Sequence, residues 1–244
     1  MVRYNDAVNL LPTLEAFRGL ASSFRLLPAR CVLCGASGLA GLDLCAGCRD
    51  DLPRNDAACA TCALPLPVTA AMCGVCLRKP PPYVAAFAAL RYRYPVDQLI
   101  QRLKFGGDLA VGRVLATLLC DALPRAWHAP DVVVPMPLAR GRLRTRGCNQ
   151  AQELARGLPW RVDRTTLARV RETSPQSELD ARARRANVRG AFVASAAVRG
   201  QSVVLLDDVI TTGATVRAAA KALLRAGARE VRVLAVARAP RRGD

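Results

Sequence analysis

The sequence is short of aromatic residues, of histidine and of lysine. Aromatic residues make up 5% of the 244 residues, and the chain has one histidine, His128, and three lysines. The context of His128 matches no catalytic or metal-binding motif, so we expect this residue to be structural or exposed. The cysteine-rich segment 31–78 in particular has few aromatic side chains that would stack on nucleic-acid bases.

Long hydrophobic runs are also lacking. No apolar run approaches the roughly 20 residues that span a bilayer, which argues against a membrane-spanning helix. The amphipathic stretch 8–27 is interrupted by Glu15, Arg18 and Arg25, and it lacks the apolar core and cleavage pattern of a signal peptide. We interpret residues 1–30 as an amphipathic helical segment that packs on the domain behind it, and we expect the protein to be cytoplasmic.

Positive charge, by contrast, is abundant. The hydrophobic fraction of 52% is typical of a globular chain, yet the formal net charge is +17 and is carried by 33 arginines. Residues 138–200 hold 14 arginines against 5 acidic residues. Two interpretations of this segment stay open: a solvated basic surface beside a pocket for a polyanionic substrate, or a nucleic-acid footprint whose arginines neutralise phosphates.

Eight of the ten cysteines form four CxxC pairs, and each pair begins 14 residues after the one before it. A CxxC turn directs two thiolates at one tetrahedral metal, and two such turns complete a four-cysteine zinc site. The missing secretory signal disfavours a disulfide framework, and a redox CxxC would occur once, beside a βαβ unit. The sequence therefore predicts two zinc sites with the ligands Cys31, Cys34, Cys45, Cys48, Cys59, Cys62, Cys73 and Cys76.

Both zinc sites should be structural, because thiolates fill every coordination position and leave none for water or substrate. The segment 31–78 has few large apolar residues, so metal binding must supply much of its folding free energy. Pairing of neighbouring knuckles is the simpler arrangement, and a crossed arrangement stays open. Cys120 lies on an apolar helical pattern and is predicted to be a core residue.

The composition changes at residues 79–82, a stiff proline-rich stretch typical of a domain boundary. Beyond it, strand patterns alternate with helical patterns of about 10 to 15 residues, which predicts βαβ units and a parallel sheet. The predicted strands are 84–91, 131–134, 162–170, 202–206 and 230–237. The predicted helices are 96–104, 108–123, 149–158, 177–186 and one that runs from Thr212 or Gly213 to Gly227. The predicted organisation is an N-terminal segment 1–30, a double zinc ribbon 31–78, a linker 79–83, an α/β domain 84–239 and a tail 240–244.

The most informative stretch is residues 203–215, VVLLDDVITTGAT. Four apolar strand residues lead into Asp207 and Asp208, whose carboxylates can accept hydrogen bonds from the 2′ and 3′ hydroxyls of a ribose. A Thr/Gly turn then opens a helix, and backbone N–H groups around Gly213, together with the positive helix end, would hold a 5′-phosphate. The stretch closely resembles the loop of type I phosphoribosyltransferases that binds 5-phosphoribosyl 1-diphosphate (PRPP).

Further motifs extend this resemblance to residues 31–239, which look like the ComF family, a double zinc ribbon joined to a phosphoribosyltransferase-like domain. These motifs are Leu103-Lys104-Phe105 with Gly107-Asp108, Pro135-Met136-Pro137-Leu138, Arg142 with Arg146-Gly147-x-Asn149-Gln150, and a block from Arg169 to Phe192 that includes Thr173, Gln176 and Asn187. Cys148 stands where the family has Phe, and we expect this apolar change to affect packing rather than chemistry.

The resemblance implies an α/β type I phosphoribosyltransferase fold and displacement of pyrophosphate from C1 of PRPP, with Mg²⁺. Asp207 and Asp208 would be the catalytic residues that clamp the ribose hydroxyls. The residues implied to bind PRPP are Thr211, Thr212, Gly213, Ala214, Thr215, Arg142 and Arg146. For the two arginines a basic surface loop is the alternative. Gln176, Thr173 and Asn187 could instead fix a hood over the site.

Two hypotheses of function remain. The first is an active PRPP-dependent transferase, with nucleobase salvage as one form of it. The second is a factor that keeps the fold and binds single-stranded DNA without catalysis, in keeping with the family's association with competence. We favour a phosphoribosyltransferase-domain protein that acts in DNA uptake and natural transformation, and partners from the competence machinery are compatible with it.

Overall fold

The computed structural model describes residues 28–171 and 190–241, without the side chain of Arg140. Several predicted features lie outside the described residues. These are the N-terminal helix up to residue 27, the helix 177–186, the hood residues Thr173, Gln176 and Asn187, and the end of the tail from residue 242.

The centre of the fold is a parallel sheet of four strands in the order β1-β6-β5-β2. These strands are β1 (Ala85–Arg91), β2 (Val132–Pro135), β5 (Ser202–Ile210) and β6 (Glu230–Arg238). Two short strands, β3 (Leu167–Arg169) and β4 (Phe192–Ala194), form a separate antiparallel pair. The predicted parallel α/β sheet is therefore confirmed.

Helices cover both faces of this sheet. The α-helices of the described residues are α1 (Ala46–Asp50), α2 (Gly74–Arg78), α3 (Val96–Phe105), α4 (Leu109–Asp121), α5 (Arg140–Arg146), α6 (Gln150–Ala155) and α7 (Ala214–Arg225). The core on one face lies under α3, α4 and α6, and the core on the other lies under α7. Side chains of β5 alternate between them, since Val204 and Leu206 join the first core and Val203 and Leu205 the second. A strand covered on both faces reads as an unbroken apolar run, which explains its sequence.

None of the helices in the described ranges combines the length and the apolarity that crossing a bilayer requires.

The structure differs from the sequence-based expectations in a few elements. The strand expected over 162–170 shrinks to β3, and the helix α5 and the strand β4 were not predicted. The most consequential difference is that β5 continues past Leu206 to Ile210, because its pairing with β6 extends to the end of both strands. Asp207 and Asp208 therefore belong to the strand and do not begin a turn. Cys120, predicted as a core residue, is only partly buried.

The cysteine-rich segment packs along the edge of the sheet. Residues 53–60 follow the edge strand β1, where Asn55 N donates a hydrogen bond to Ala89 O at 3.1 Å and Arg91 N donates one to Pro53 O at 2.7 Å. These bonds satisfy backbone groups that an edge strand would otherwise expose to other chains. The zinc-binding segment thus completes the sheet.

Leu44 lies in the first zinc knuckle pair, and its substitution tests whether this segment shares the core of the α/β domain. Its side chain is 0% exposed and belongs to the cluster that contains Leu99 and Leu119. We predict that Leu44→Ala lowers the free energy of unfolding by about 2–5 kcal/mol, because the substitution leaves a cavity. Denaturant titration followed by circular dichroism measures the loss.

Leu77→Ala is the matched control, because Leu77 lies in the second zinc knuckle pair and its side chain is 68% exposed. It should change the free energy of unfolding by less than about 0.5 kcal/mol. An equal, small effect of both substitutions would show that the zinc-binding segment does not share the core.

Candidate functional site

The eight predicted zinc ligands form two groups of four, and neighbouring knuckles supply each group. The first site is Cys31, Cys34, Cys45 and Cys48, and the second is Cys59, Cys62, Cys73 and Cys76. The Sγ atoms in each site lie within 4.8 Å of one another, and the Cys34–Cys45 and Cys62–Cys73 Sγ pairs are 3.7 Å apart. A tetrahedral zinc ion with Zn–S bonds of about 2.3 Å sets an Sγ–Sγ separation of about 3.8 Å, so both sites fit Zn²⁺. The sequential pairing is thereby selected over the crossed one.

The two zinc sites differ in their burial. All four cysteines of the second site are buried, whereas Cys31 alone is buried in the first site and Cys34 is exposed. Reagents that attack thiols should therefore reach the first site before the second.

In each site the residue after the second cysteine has a left-handed backbone that closes the turn. These residues are Gly35 at φ 76° and Ala63 at φ 57°.

Asp207 and Asp208 occupy the carboxyl-terminal part of β5. Successive side chains on a strand point to opposite faces, and the neighbours of the two acids follow this rule. Lys104 of α3 forms an ion pair with Asp208 on one face, with an Nζ–Oδ2 distance of 2.8 Å. On the other face, Arg169 of β3 acts electrostatically on Asp207. The acid pair thus has a cationic side chain on each face of the sheet.

The environment raises the pKa of Asp207 to about 7. Desolvation by burial is the largest cause and the like charge of Asp208 the second, while the charges of Lys104 and Arg169 oppose the shift. The pKa of Arg169 is lowered by burial and by the like charge of Arg142, and Asp207 raises it. A carboxyl that exchanges its proton near neutral pH can both accept hydrogen bonds from hydroxyl groups and donate to them, and such groups cluster at functional sites.

A short turn, residues 211–213, leads from β5 into α7, and we call it the phosphate turn. Gly213 has φ 76°, a left-handed conformation in which any other L-residue would be strained. Thr211 and Thr212 are exposed, and Thr212 Oγ1 accepts a hydrogen bond from Ala214 N at 3.4 Å. Ala214 and Thr215 begin the 12-residue helix α7, whose positive end opens at this turn. A turn of this kind at a helix N-terminus can bind an anion through its backbone N–H groups.

The proline turn after β2 lies beside the acid pair. Met136 N donates to Leu206 O at 2.7 Å, one residue before Asp207. Asn149 holds this turn, because its Nδ2 donates to Met136 O at 3.1 Å while its Oδ1 accepts from Ala151 N at 3.0 Å and caps α6. The proline turn and the acid pair therefore lie at the same edge of the sheet.

Arg142 and Arg146 lie on α5, which follows the proline turn. The Arg146 guanidinium carbon is 5.2 Å from the centre of the Phe105 ring, and its NH1 donates to Gln150 Oε1 at 3.2 Å. Phe105 follows Lys104, the ion-pair partner of Asp208. Arg142 acts electrostatically on Arg169, which in turn acts on Asp207. The two predicted arginines are therefore linked to the acid pair through Lys104-Phe105 and through Arg169.

Sequence reasoning assigned no individual role to Lys104 or Arg169, although both belong to quoted motifs. The available signal was the scarcity of lysine, since Lys104 is one of three in the chain and lies beside a Gly-Gly turn. Arg169 gave no comparable signal, because it is one of 14 arginines in its segment. Only the folded chain separates it from the others.

Comparison with known families gives the class of the protein. The family model of the phosphoribosyl transferase domain matches residues 113–244, and that of the double zinc ribbon domain matches residues 24–77. The chain therefore belongs to the family that joins a double zinc ribbon to a phosphoribosyl transferase domain. This is the ComF-type organisation that its motifs predicted.

The chain is also similar to individual named proteins. Competence protein F of Haemophilus influenzae is 34% identical over 223 residues, which cover 86% of this chain and 97% of that protein. DNA utilization protein YhgH of Salmonella typhi is 37% identical over 171 residues, 66% of this chain and 75% of that protein. Competence protein ComFC of Streptococcus pneumoniae is 28% identical over 151 residues, 62% of this chain and 67% of that protein.

Asp207 should make the stability of the protein depend on pH. The folded carboxyl keeps its proton up to about pH 7, whereas in the unfolded chain it loses the proton near its ordinary pKa of 3.8. The folded state therefore binds more protons between these values, and the free energy of unfolding falls as the pH rises through this window. We predict that Asp207→Asn removes this part of the fall, as measured by denaturant titration at about pH 5 and about pH 8.

Asp208→Asn is the companion variant. It removes the like charge that helps to raise the pKa of Asp207, so the pH dependence should become weaker without vanishing. Superimposable pH profiles of the wild type and Asp207→Asn would contradict the assignment.

Proposed function

We propose that the protein binds PRPP, or a related ribose 5-phosphate, with Mg²⁺ at the carboxyl edge of its sheet and acts in DNA uptake and natural transformation. The observation that carries the proposal is the meeting of Asp207 and Asp208, the phosphate turn and the arginines of α5 at one edge. Membership of the phosphoribosyl transferase family supports the ligand class. The names of the relatives, competence protein F and DNA utilization protein, support the process.

In this proposal the chemistry of each side chain fixes its role. Asp207 and Asp208 hydrogen-bond the 2′ and 3′ hydroxyls of the ribose, and the ion pair with Lys104 holds the Asp208 carboxylate in place. The backbone N–H groups of the phosphate turn and the first turn of α7 hold the 5′-phosphate. Binding at both ends of the ribose fixes the position of C1, which is the main contribution asked of the protein.

Arg142, Arg146 and Arg169 supply positive charge to the diphosphate of PRPP. Mg²⁺ prefers oxygen ligands, and the site offers carboxylate oxygens next to the expected diol, so the residues fit this ion. When bound, Mg²⁺ would neutralise charge that develops on the leaving diphosphate. The C1–O bond to diphosphate breaks, an acceptor atom bonds to C1, and the acid pair stabilises positive charge on the ribose in between.

The proposal includes a cytoplasmic location, domain boundaries at residues 31–78 and 84–239, and partners from the competence machinery. A cytoplasmic location is where PRPP would be met, and the boundaries assign the zinc ligands and the acid pair to different domains. The class of molecule that accepts the ribosyl group distinguishes this proposal from nucleobase salvage. A free nucleobase that alone triggers pyrophosphate release would favour salvage.

Calorimetry with PRPP and Mg²⁺ tests the site. We expect wild-type protein to bind, and the double variant Asp207→Asn/Asp208→Asn to bind at least about tenfold more weakly, because hydrogen bonds to charged groups contribute about 1.5–3 kcal/mol each. Asp131→Asn is the control, since Asp131 lies at the opposite end of the sheet and hydrogen-bonds Ser202. No PRPP binding by the wild type, and no pyrophosphate release with candidate nucleobases and amines, would refute the proposal.

Binding of single-stranded DNA without catalysis is the second candidate, and one exposed aromatic residue favours it. Phe105 is 73% exposed, and the guanidinium of Arg146 lies over its ring. An exposed aromatic ring beside arginines is the arrangement on which bases stack in single-strand binding. The basic segment 138–200 begins immediately before α5, which carries Arg146.

We predict that Phe105→Leu lowers the affinity for a labelled single-stranded oligonucleotide about tenfold, because stacking on one aromatic ring contributes about 1–3 kcal/mol per base. Fluorescence anisotropy at several salt concentrations measures it, and the affinity should fall with salt. Tyr94→Leu is the matched control, since Tyr94 is 71% exposed and precedes α3, whereas Phe105 ends it. Binding that is absent at low salt, or insensitive to salt, would count against this candidate.

A further inference from the structure

Arg238 is a buried residue that the proposed reaction does not use. It ends β6, and its side chain is 7% exposed. Its Nε donates a hydrogen bond to the carbonyl oxygen of Cys62 at 3.2 Å. Its NH1 donates to the carbonyl oxygens of Ile210 at 3.0 Å, of Ala239 at 2.6 Å and of Thr211. One side chain therefore joins the second zinc site to the phosphate turn.

The positive charge of Arg238 requires a compensating charge, because an unpaired buried charge is strongly unfavourable. Among the residues that the structure describes, no carboxylate forms an ion pair with Arg238. Four thiolates around one Zn²⁺ carry two net negative charges, and all four cysteines of the second site are buried. Arg238 Nε bonds to the backbone of Cys62, one of these four ligands, so the zinc-thiolate group supplies a compensating charge beside the guanidinium.

The hydrogen bonds of Arg238 also orient the phosphate turn. In a trans peptide the C=O and N–H groups point in opposite directions. Because the carbonyls of Ile210 and Thr211 point at Arg238, the N–H groups of Thr211 and Thr212 point away from it. The planar guanidinium donates to both carbonyls from NH1 while its Nε bonds to Cys62 O, so it holds both peptide groups in a fixed position relative to the second zinc site.

We infer that Arg238 is a positioning residue that couples the second zinc site to the phosphate turn. Zinc in the second site stabilises the buried guanidinium, and the guanidinium fixes the direction of the backbone N–H groups that would face the 5′-phosphate. The inference rests on the proposed function in one respect only, the identification of the anion as a 5′-phosphate. The first zinc site has no such hydrogen-bonded link to the turn within the described ranges.

Two measurements on the full-length zinc-loaded protein test the coupling without PRPP. The first is zinc release by an organomercurial, followed with a zinc-sensitive dye. The exposed first site should release its zinc in a fast phase, and the buried second site should release its zinc in a slow phase. The fast phase is identified because it should be missing in Cys34→Ser. We expect Arg238→Gln to accelerate the slow phase about tenfold or more, since residues that support metal ligands contribute about 10–100-fold to affinity.

The second measurement is amide hydrogen exchange of the segment 207–216, with residues 202–206 of β5 as an internal reference. Exchange should become faster in Arg238→Gln, and faster in wild type after release of the second zinc but not of the first. Zinc release should have no further effect on this segment in Arg238→Gln. Arg238→Lys, which keeps the charge but has one donor nitrogen on a flexible stem instead of the rigid pair of Nε and NH1, should retain most of the zinc stability and lose most of the protection of the turn.

Arg232→Lys is the matched control, because Arg232 lies on the same strand and pairs with Glu230 at 2.9 Å instead of contacting a zinc site. It should leave the slow phase and the exchange of 207–216 unchanged. If Arg238→Gln does not fold, the zinc-dependent exchange of the wild type decides the question alone. Exchange of the turn that ignores the second zinc, or that responds equally in Arg238→Gln, would overturn the inference. Failure to bind PRPP would refute the proposed function and leave both measurements valid.

Discussion

β5 is hydrogen-bonded along its length to β6 on one side and, over its first half, to β2 on the other. This double pairing fixes the register of three neighbouring segments at one edge. Asp207 stands opposite Ala235, and the proline turn leaves β2 where Pro135 stands opposite Leu206. Ile210 stands opposite Arg238, so the buried arginine also reaches the phosphate turn because of this register. A slip of one residue would turn every side chain of β5 to the other face and separate the acids from their cationic partners.

The zinc-binding segment packs against the same sheet. Residues 53–60 satisfy the edge of β1, and the first knuckle pair contributes Leu44 and Leu52 to the core under α3 and α4. Ion pairs between the two parts, such as Arg113 with Asp43 at 3.6 Å, are at the surface and contribute little. Packing, backbone hydrogen bonds and the buried Arg238 therefore hold the zinc ribbons on the transferase domain.

Much of the fold could be predicted because its signals are local. The apolar run before Asp207, the cap at Asp108 and the CxxC spacing each report on a few neighbouring residues, and the structure contains the sheet, the helix and the two cysteine groups that they indicated. The extension of β5 to Ile210 was missed because pairing with β6 overrides the low strand propensity of Asp207 and Asp208. The strand β4 was missed because it has only three residues and exists through its pairing with β3.

The sequence by itself determined which chemical groups are available to the candidate sites, since acids, a glycine turn and paired cysteines are chemical types that no packing can supply later. It also determined the parallel architecture, because the alternation of patterns repeats along the chain. Only the tertiary structure singled out Arg169 and Arg238, because the sequence motifs had given a role to Arg142 and Arg146 alone among 33 arginines. Arg169 reaches the acid pair from β3, and Arg238 joins the second zinc site to the phosphate turn across more than 170 residues of chain. Such contacts join segments that are remote from each other in sequence. Strand register sets the distances between these segments, and spacing along the chain does not reveal them.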